Sequence, residues 1–233
     1  MKRILIVGAG GGIASALMQQ VKARQLSLMT ISRGNSVGDS EHLQADLSRE
    51  DHIPMVREWL AARPLPDVVI VCSGMLHRSD KGPEKTLRDF DDTFFIENLQ
   101  TNVLAHVHMA QAMMPLVKRD SVVRWLSLSA MVGSITDNRL GGWYSYRMSK
   151  AALNMFIRNM AIEWQRKAPK TVVVAVHPGT TDTALSRPFQ ANVATDKLYQ
   201  PQQTAERILR IAHNVTEEDS GYLFHWDGTR LPF

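Results

Sequence analysis

Short runs of branched aliphatic residues alternate with longer helical stretches, and this alternation constrains the fold more than any other feature. The runs suit strands that are buried on both faces, and they are Ile4–Val7, Leu26–Ser32, Val68–Cys72, Val122–Ser129, Thr171–His177 and Tyr222–Trp226, with His42–Asp46 as a weaker seventh. The helical stretches are Gly12–Arg24, Asp51–Ala62, Asp89–Met114, Tyr144–Lys167 and Pro201–Asn214. Strict alternation predicts an α/β fold: a doubly wound parallel sheet of about seven strands, with helices on both faces.

The composition limits the class of protein. The chain has 233 residues, of which 44% are hydrophobic and 21% charged, so we expect one globular domain over residues 1–233. The net charge of +4 is scattered, and therefore predicts neither a nucleic-acid-binding nor a membrane-binding patch. No apolar run approaches the ~18 residues of a membrane helix. Cys72 is the single cysteine and the histidines are scattered, so we expect no disulfide, no metal site and a cytoplasmic location.

A glycine-rich segment, Gly8–Ala14, follows the first predicted strand and opens the first helix. Such a turn lets the backbone approach a pyrophosphate, and the N–H groups of the helix then face the anion. The common Gly-x-Gly-x-x-Gly pattern begins at Gly8 and Gly10 but fails at Ile13, whereas the looser Gly8-x-x-x-Gly12-x-Ala14 fits. A turn between a strand and a helix often needs glycine for geometry alone, so this loop is a weak signal by itself.

Tyr146 and Lys150 lie four residues apart in the fourth helical stretch, so their side chains share one face of the helix. A phenol titrates near pH ~10 and is a poor acid or base at neutral pH. A nearby ammonium group favours the phenolate, so we expect Lys150 to lower the pKa of Tyr146. An incidental surface pair is the alternative interpretation.

Taken together, these residues resemble the short-chain dehydrogenase/reductase family, with Gly8-x-x-x-Gly12-x-Ala14 and Tyr146-x-x-Ser149-Lys150 in family order. Gly133-Ser134-Ile135 and Trp226-Asp227-Gly228 resemble its C-factor and sniffer-like carbonyl reductase branch. The resemblance implies a nicotinamide dinucleotide cofactor, an adenine contact at Asp46-Leu47 and a proton relay supported by Asn102. It also implies that a segment covers the nicotinamide, with Pro178, Gly179, Thr181 and Thr183 as its candidate contacts.

Two departures from the family pattern matter. The Asn-Asn-Ala-Gly that follows the fourth strand in the family is replaced by Val-Cys72-Ser73-Gly74, so Cys72 stands where an asparagine ties the ribose region to the sheet. We interpret Cys72 as a small apolar residue rather than a reactive thiol.

The second departure concerns the catalytic serine, whose usual slot holds Ala130. Ser129 and Ser134 are the neighbouring hydroxyls, and Ser129 is favoured because it ends the fifth predicted strand, at the edge where ligands bind. Strand residues alternate in direction, so Ser129 needs a bulge or an early strand end to face the site. A site that uses neither serine is the third possibility.

The end of the second strand indicates the cofactor. Family members that use NAD tend to carry an acid there, which would repel a 2′-phosphate. This chain has Ser32-Arg33 instead, and a guanidinium group can pair with phosphate through two N–H groups. We therefore expect NADP(H) over NAD(H), with a solvated loop arginine as the alternative interpretation.

The sequence thus predicts an NADPH-dependent reductase of a small-molecule carbonyl compound. Tyr146 would supply the proton, Lys150 would hold the ribose, a serine would orient the carbonyl, and Asn102 would support the relay. The resemblance of the long helices to those that pair subunits in the family implies a homodimer or homotetramer. A dinucleotide-binding signalling protein with little turnover, of the C-factor type, is the alternative.

Overall fold

The computed structural model describes residues 1–35 and 41–233, and it confirms the predicted α/β fold. Within those ranges the strands are β1 Arg3–Val7, β2 Ser27–Ser32, β3 Glu41–Gln44, β4 Val68–Val71, β5 Arg124–Leu128, β6 Val172–His177, β7 Thr180–Thr181, β8 Leu198–Tyr199, β9 Leu223–His225 and β10 Arg230–Leu231. The α-helices are α1 Gly12–Ala23, α2 Ile53–Ala61, α3 Asp92–Leu99, α4 Ala105–Met113, α5 Tyr144–Lys167 and α6 Pro201–Asn214.

Eight strands form one sheet in the order β10-β9-β6-β5-β4-β1-β2-β3. All neighbours in it are parallel except β10 and β9. The weak seventh candidate is therefore a real edge strand, β3, which pairs with β2. The antiparallel strand β10 was not predicted, because a two-residue strand carries no periodic pattern. The sheet takes strands from Arg3 to Leu231, and the single domain over residues 1–233 stays a prediction.

Two apolar layers enclose the sheet. Leu5 and Val7 of β1 point into a core formed with residues of α2, α4 and α5, whereas Ile4 and Ile6 point into a core formed with α1 and α6. Consecutive strand residues face opposite sides of a sheet, which explains why these strands are apolar without alternation. No helix in the described ranges is long and apolar enough to cross a membrane.

The prediction of one continuous helix over Asp89–Met114 is wrong. A single 3-10 turn ends at Asp89, and α3 begins only at Asp92, where the Asp91 carboxylate accepts a hydrogen bond from the Phe94 N–H at 2.8 Å. A π-helical turn, Gln100–Leu104, then separates α3 from α4. One extra residue in a turn re-aims the side chains around it, and such turns are frequent at functional sites. Asn102 lies at the centre of this one.

Candidate active site

A cavity of about 380 Å³ opens where the carboxyl ends of β1, β2 and β4 meet. The strand order reverses between β1 and β4, and this is the place where open α/β sheets bind ligands. Many of the predicted cofactor residues line the cavity, and they come from four separate segments: Gly8, Gly10, Ser32, Arg33, Asp46, Leu47, Cys72, Ser73 and Gly74.

The glycine loop forms a cradle that side chains would fill. Gly8 has φ +78°, and a Cβ atom there would lie 2.8 Å from the Ser73 nitrogen. A Cβ at Gly10 would meet nothing within 4 Å, so this residue borders open space in the cavity. Helix α1 begins at Gly12 with no acidic residue in its first turn, so its N–H groups can face an anion. These residues fit the pyrophosphate of a dinucleotide.

Two loop residues predicted at the cofactor pack elsewhere. A Cβ at Gly12 would lie 2.7 Å from Cγ2 of Thr183, so Gly12 permits the segment after β6 to approach the loop. Ile13 is half-buried and packs against the α1–α6 side of the sheet.

The far end of the cavity carries the residues expected at the adenosine. Arg33 is exposed on the cavity wall, and its neighbour Ser32 donates a hydrogen bond to the Gly34 carbonyl at 3.2 Å. Burial acts to raise the pKa of Asp46, but hydrogen bonds from the Ser48 hydroxyl and N–H, at 2.7 and 3.0 Å, and the charge of Arg33 hold it below its usual value. Asp46 is therefore ionised and fixed in place by Ser48 at neutral pH.

Tyr146, Lys150, Asn102 and Gly74 converge near the opposite end of the cavity. Lys150 is 3% exposed, and its ammonium donates to the Leu128 carbonyl at 2.9 Å, while Nζ lies 5.8 Å from the Tyr146 ring centre. A Cβ at Gly74 would lie 3.3 Å from Asn102 Oδ1 and 3.5 Å from Lys150 Nζ. A side chain at Gly74 would therefore crowd the space between these groups.

Burial controls the titration of the tyrosine and the lysine. It raises the pKa of Tyr146 from 10.0 to about 12 and lowers the pKa of Lys150 from 10.5 to about 7. The expected lowering of the Tyr146 pKa is therefore wrong, because burial disfavours the charged phenolate. The phenol keeps its proton at neutral pH, which suits a proton donor.

Asn102 joins the segment after β4 to helix α5. Its Oδ1 accepts from the Met75 N–H at 2.7 Å, and its Nδ2 donates to the Met75 carbonyl at 3.0 Å. Nδ2 also lies 2.9 Å from Ser149 Oγ, whose hydroxyl donates to the Tyr146 carbonyl at 2.8 Å. The side chain thus clamps two backbone segments, and its part in a proton relay stays a prediction.

Both candidate serine hydroxyls form hydrogen bonds with groups other than Tyr146. Ser129 follows the last residue of β5, and its buried hydroxyl donates to Asn154 Oδ1 at 2.6 Å. Ser134 Oγ accepts from the Asp137 N–H at 3.2 Å within its own loop. Ala130 instead packs in one cluster with Tyr146. The geometry therefore favours the third possibility, a site without a serine donor, and the role assigned to Ser129 stays a prediction.

The segment expected over the nicotinamide is held by close backbone packing. Gly179 has φ +77°, and a Cβ there would lie 2.7 Å from the Tyr199 ring and 2.9 Å from the Trp226 ring. Its neighbour Pro178 is half-buried. The buried Thr181 hydroxyl is 2.8 Å from that of Thr204, so it faces α6 rather than the cavity.

Two further sets of residues surround Tyr146, and the first of them, Glu84, was not predicted. Glu84 is 1% exposed and accepts hydrogen bonds from the N–H and hydroxyl of Ser145 at the start of α5, one residue before Tyr146. Trp143 and Phe189 stack edge to face, with centroids 5.3 Å apart, and Trp143 meets Tyr146 at 6.2 Å. Glu84 lies far from Tyr146 in sequence, so no local spacing could reveal it.

Cys72 lies at the cavity wall with its sulfur 4.0 Å from the Ile70 carbonyl. Burial raises the pKa of its thiol from 9.0 to about 12, so the thiolate required for reactivity does not form at neutral pH. This agrees with the interpretation of Cys72 as a small apolar residue.

A cavity at the switch point of a doubly wound sheet, with a Tyr-Lys pair next to Gly74 of its lining, is typical of a nicotinamide-dependent oxidoreductase. Comparison with known families agrees, because the short chain dehydrogenase family model matches residues 2–194. The chain belongs to the short-chain dehydrogenase family and is an NAD(P)-dependent oxidoreductase.

Individual relatives support the resemblance. An uncharacterized oxidoreductase of Schizosaccharomyces pombe is 29% identical, with 100% of this chain and 98% of the relative covered. The C-signal of Myxococcus xanthus is 31% identical over 63% of this chain and 83% of its own length.

Two solved structures share the fold over the whole chain. Carbonyl reductase Sniffer of Drosophila melanogaster matches with a TM-score of 0.84 and 20% identity, covering 100% of both chains. The NADPH-bound carbonyl reductase from chicken fatty liver matches with a TM-score of 0.83 and 22% identity, covering 100% of this chain and 99% of the other.

Proposed function

We propose that this chain reduces a small carbonyl compound, with NADPH as the hydride source. The convergence of Tyr146, Lys150 and Gly74 beside the cavity carries the proposal, since it brings a protonated phenol and a lysine close to the space that the glycine loop borders. The cofactor, when bound, supplies a hydride to the carbonyl carbon.

The residues of the chain would divide the remaining work. Gly8, Gly10 and the N-terminus of α1 would hold the pyrophosphate, and Lys150 would hold the ribose hydroxyls. The Tyr146 phenol would donate its proton to the carbonyl oxygen, a role supported by the burial that keeps it protonated. Trp143 and Phe189 would exclude water from the reacting carbonyl, because their rings pack beside Tyr146.

The preference for NADPH depends on Arg33. Its guanidinium group is exposed at the far end of the cavity, where an adenosine 2′-phosphate would lie, and Ser32 beside it has no charge to repel phosphate. The similar carbonyl reductase from chicken fatty liver was solved with NADPH bound. Both observations support NADP(H) over NAD(H).

A signalling protein of the C-signal type is the second candidate. The similarity to C-signal and the missing hydroxyl at Ala130 favour it. Preorganised donors to developing negative charge contribute about 3 kcal/mol each, so a site with Tyr146 as its side-chain donor would turn over slowly. The intact Tyr146–Lys150 pair favours the enzyme.

Tyr146→Phe tests the function. It removes the proton donor but keeps the ring, so NADPH oxidation with a panel of aldehydes and ketones should fall at least about 100-fold while NADPH binding persists. Tyr144→Phe is the matched control, because Tyr144 opens the same helix and is half-buried; its activity should stay near that of the unaltered chain. Cofactor binding without turnover by the unaltered chain would favour the signalling candidate.

A homodimer or homotetramer is also proposed. Met148, Met155 and Ile162 are 40%, 62% and 39% exposed and lie seven residues apart on α5. That spacing places them in one stripe along the helix. An exposed apolar stripe on a long helix supports pairing with a second copy of the chain. A cytoplasmic location stays a prediction.

A further inference from the structure

His106 is a fully buried side chain in α4 that lies between the core of the sheet and the cavity wall. Its Nδ1 is 2.9 Å from the Ser127 hydroxyl, and its Nε2 is 3.0 Å from the Ser73 carbonyl. Ser127 Oγ also accepts a hydrogen bond from the Trp125 indole N–H at 2.9 Å. A row of three hydrogen bonds therefore runs from the strand β5 to the segment after β4.

The chemistry of the partners fixes the direction of every bond in this row. The Ser73 carbonyl can only accept, so the proton of the imidazole lies on Nε2. In the neutral ring Nδ1 is then an acceptor, and the Ser127 hydroxyl donates to it while accepting from Trp125. Burial, together with the charge of Lys150, lowers the pKa of His106 to about 3, so the ring stays neutral in this arrangement.

The anchored carbonyl belongs to a residue that shapes the cavity. Ser73 lines it, and a Cβ at Gly8 would lie 2.8 Å from the Ser73 nitrogen and 2.9 Å from its hydroxyl oxygen. The position of Ser73 therefore decides how closely the segment after β4 approaches the glycine loop. The thiol of Cys72 offers only a contact of 4.0 Å to Ile70, whereas His106 holds the next residue at hydrogen-bond distance.

We propose that His106 is a positioning residue of the cofactor site, which holds the Ser73 backbone against Gly8 through its Nε2–H. The identity of the cofactor rests on the proposed function. His106 touches neither the cofactor nor the substrate in this role. His106 affects the affinity for the dinucleotide because it fixes the position of Ser73 in the cavity wall.

Two substitutions distinguish the hydrogen bond that His106 donates to Ser73 from the space that its side chain fills. His106→Leu fills the space but cannot donate to Ser73, so NADPH binding must then order the released Ser73 backbone, and the dissociation constant for NADPH should rise about tenfold. The amide nitrogen of glutamine lies as far along the side chain as Nε2 of histidine, so His106→Gln should keep the affinity within about threefold. Quenching of tryptophan fluorescence by NADPH measures both, and kcat at saturating NADPH should stay within about twofold in both.

The outcomes separate this proposal from the proposed function. Equal losses of NADPH affinity in both variants, or none in His106→Leu, would overturn the role of His106. Tight NADPH binding without turnover by the unaltered chain would overturn the carbonyl reduction alone, and no NADPH binding would overturn both. Nitrogen-15 NMR of the unaltered protein tests the proposal even if neither His106 variant folds. It should show a neutral His106 ring with its proton on Nε2 from pH 5 to 8, and a proton on Nδ1 would overturn the proposal.

Discussion

Lys150 should make the stability of this protein depend on pH in a window that few other groups affect. Burial lowers its pKa from 10.5 to about 7, while the unfolded chain keeps the ordinary value. Between pH 7 and 10.5 the unfolded state therefore binds more protons than the folded state, so the free energy of unfolding rises with pH. Below pH 7 both states are protonated, and the contribution no longer changes. From pH 7 to pH 9 the free energy of unfolding should rise by about 2 kcal/mol.

The other strongly shifted groups change the stability mainly outside the interval from pH 7 to pH 9. His106 and His177, with pKa values of about 3 and 4, change stability only below pH ~6.5. The raised pKa values of Cys72 and Tyr146, both about 12, lower stability only above the ordinary values of 9.0 and 10.0.

Urea unfolding without cofactor, at pH 7 and pH 9 and equal ionic strength, measures the effect. Between pH 7 and pH 9 the free energy of unfolding of the unaltered chain should rise by about 2 kcal/mol more than that of Lys150→Met, which lacks the titrating group. Tyr146→Phe is the control, and its free energy of unfolding should rise as much over this interval as that of the unaltered chain. An equal pH dependence in the unaltered chain and Lys150→Met would refute the reasoning, because it would mean that Lys150 keeps its charge in the folded protein.

Arg33→Ala should weaken NADPH binding about ten- to a hundredfold and leave NADH binding nearly unchanged, because a charge-assisted contact with the 2′-phosphate is lost. Titration with both cofactors measures this, and equal losses of affinity would mean that Arg33 has only a structural role. Ser129→Ala should lower the free energy of unfolding by about 1 kcal/mol through the lost bond to Asn154, and turnover per cofactor-bound protein should change less than about threefold in it and in Ser134→Ala. A loss of about 100-fold in either variant would assign the catalytic hydroxyl to that serine. Ala130→Ser should raise turnover, because it adds a donor beside Tyr146, and an unchanged rate would show that this slot does not face the carbonyl.

Local patterns in the sequence determined the fold class and most of the cavity wall. The strand runs are buried on both faces, so their composition alone marks them as central strands of a parallel sheet. The first βα turn carries its own signal, because close approach of Gly8 to Ser73 tolerates no Cβ. The spacing of Tyr146 and Lys150 is likewise a property of one helix, so it needed no knowledge of the rest of the chain.

Tertiary packing decided what each side chain does within that frame. The sequence places Ser129 beside the site, but only the folded chain brings Asn154 within 2.6 Å of its hydroxyl. The pKa of Tyr146 rises rather than falls because the surrounding elements exclude water from the phenol, and burial depends on contacts between distant segments. Glu84 reaches Ser145 across 61 positions of the chain. Interactions of this kind leave no local pattern, so residue spacing predicts the scaffold and the three-dimensional structure decides the electrostatics of the site.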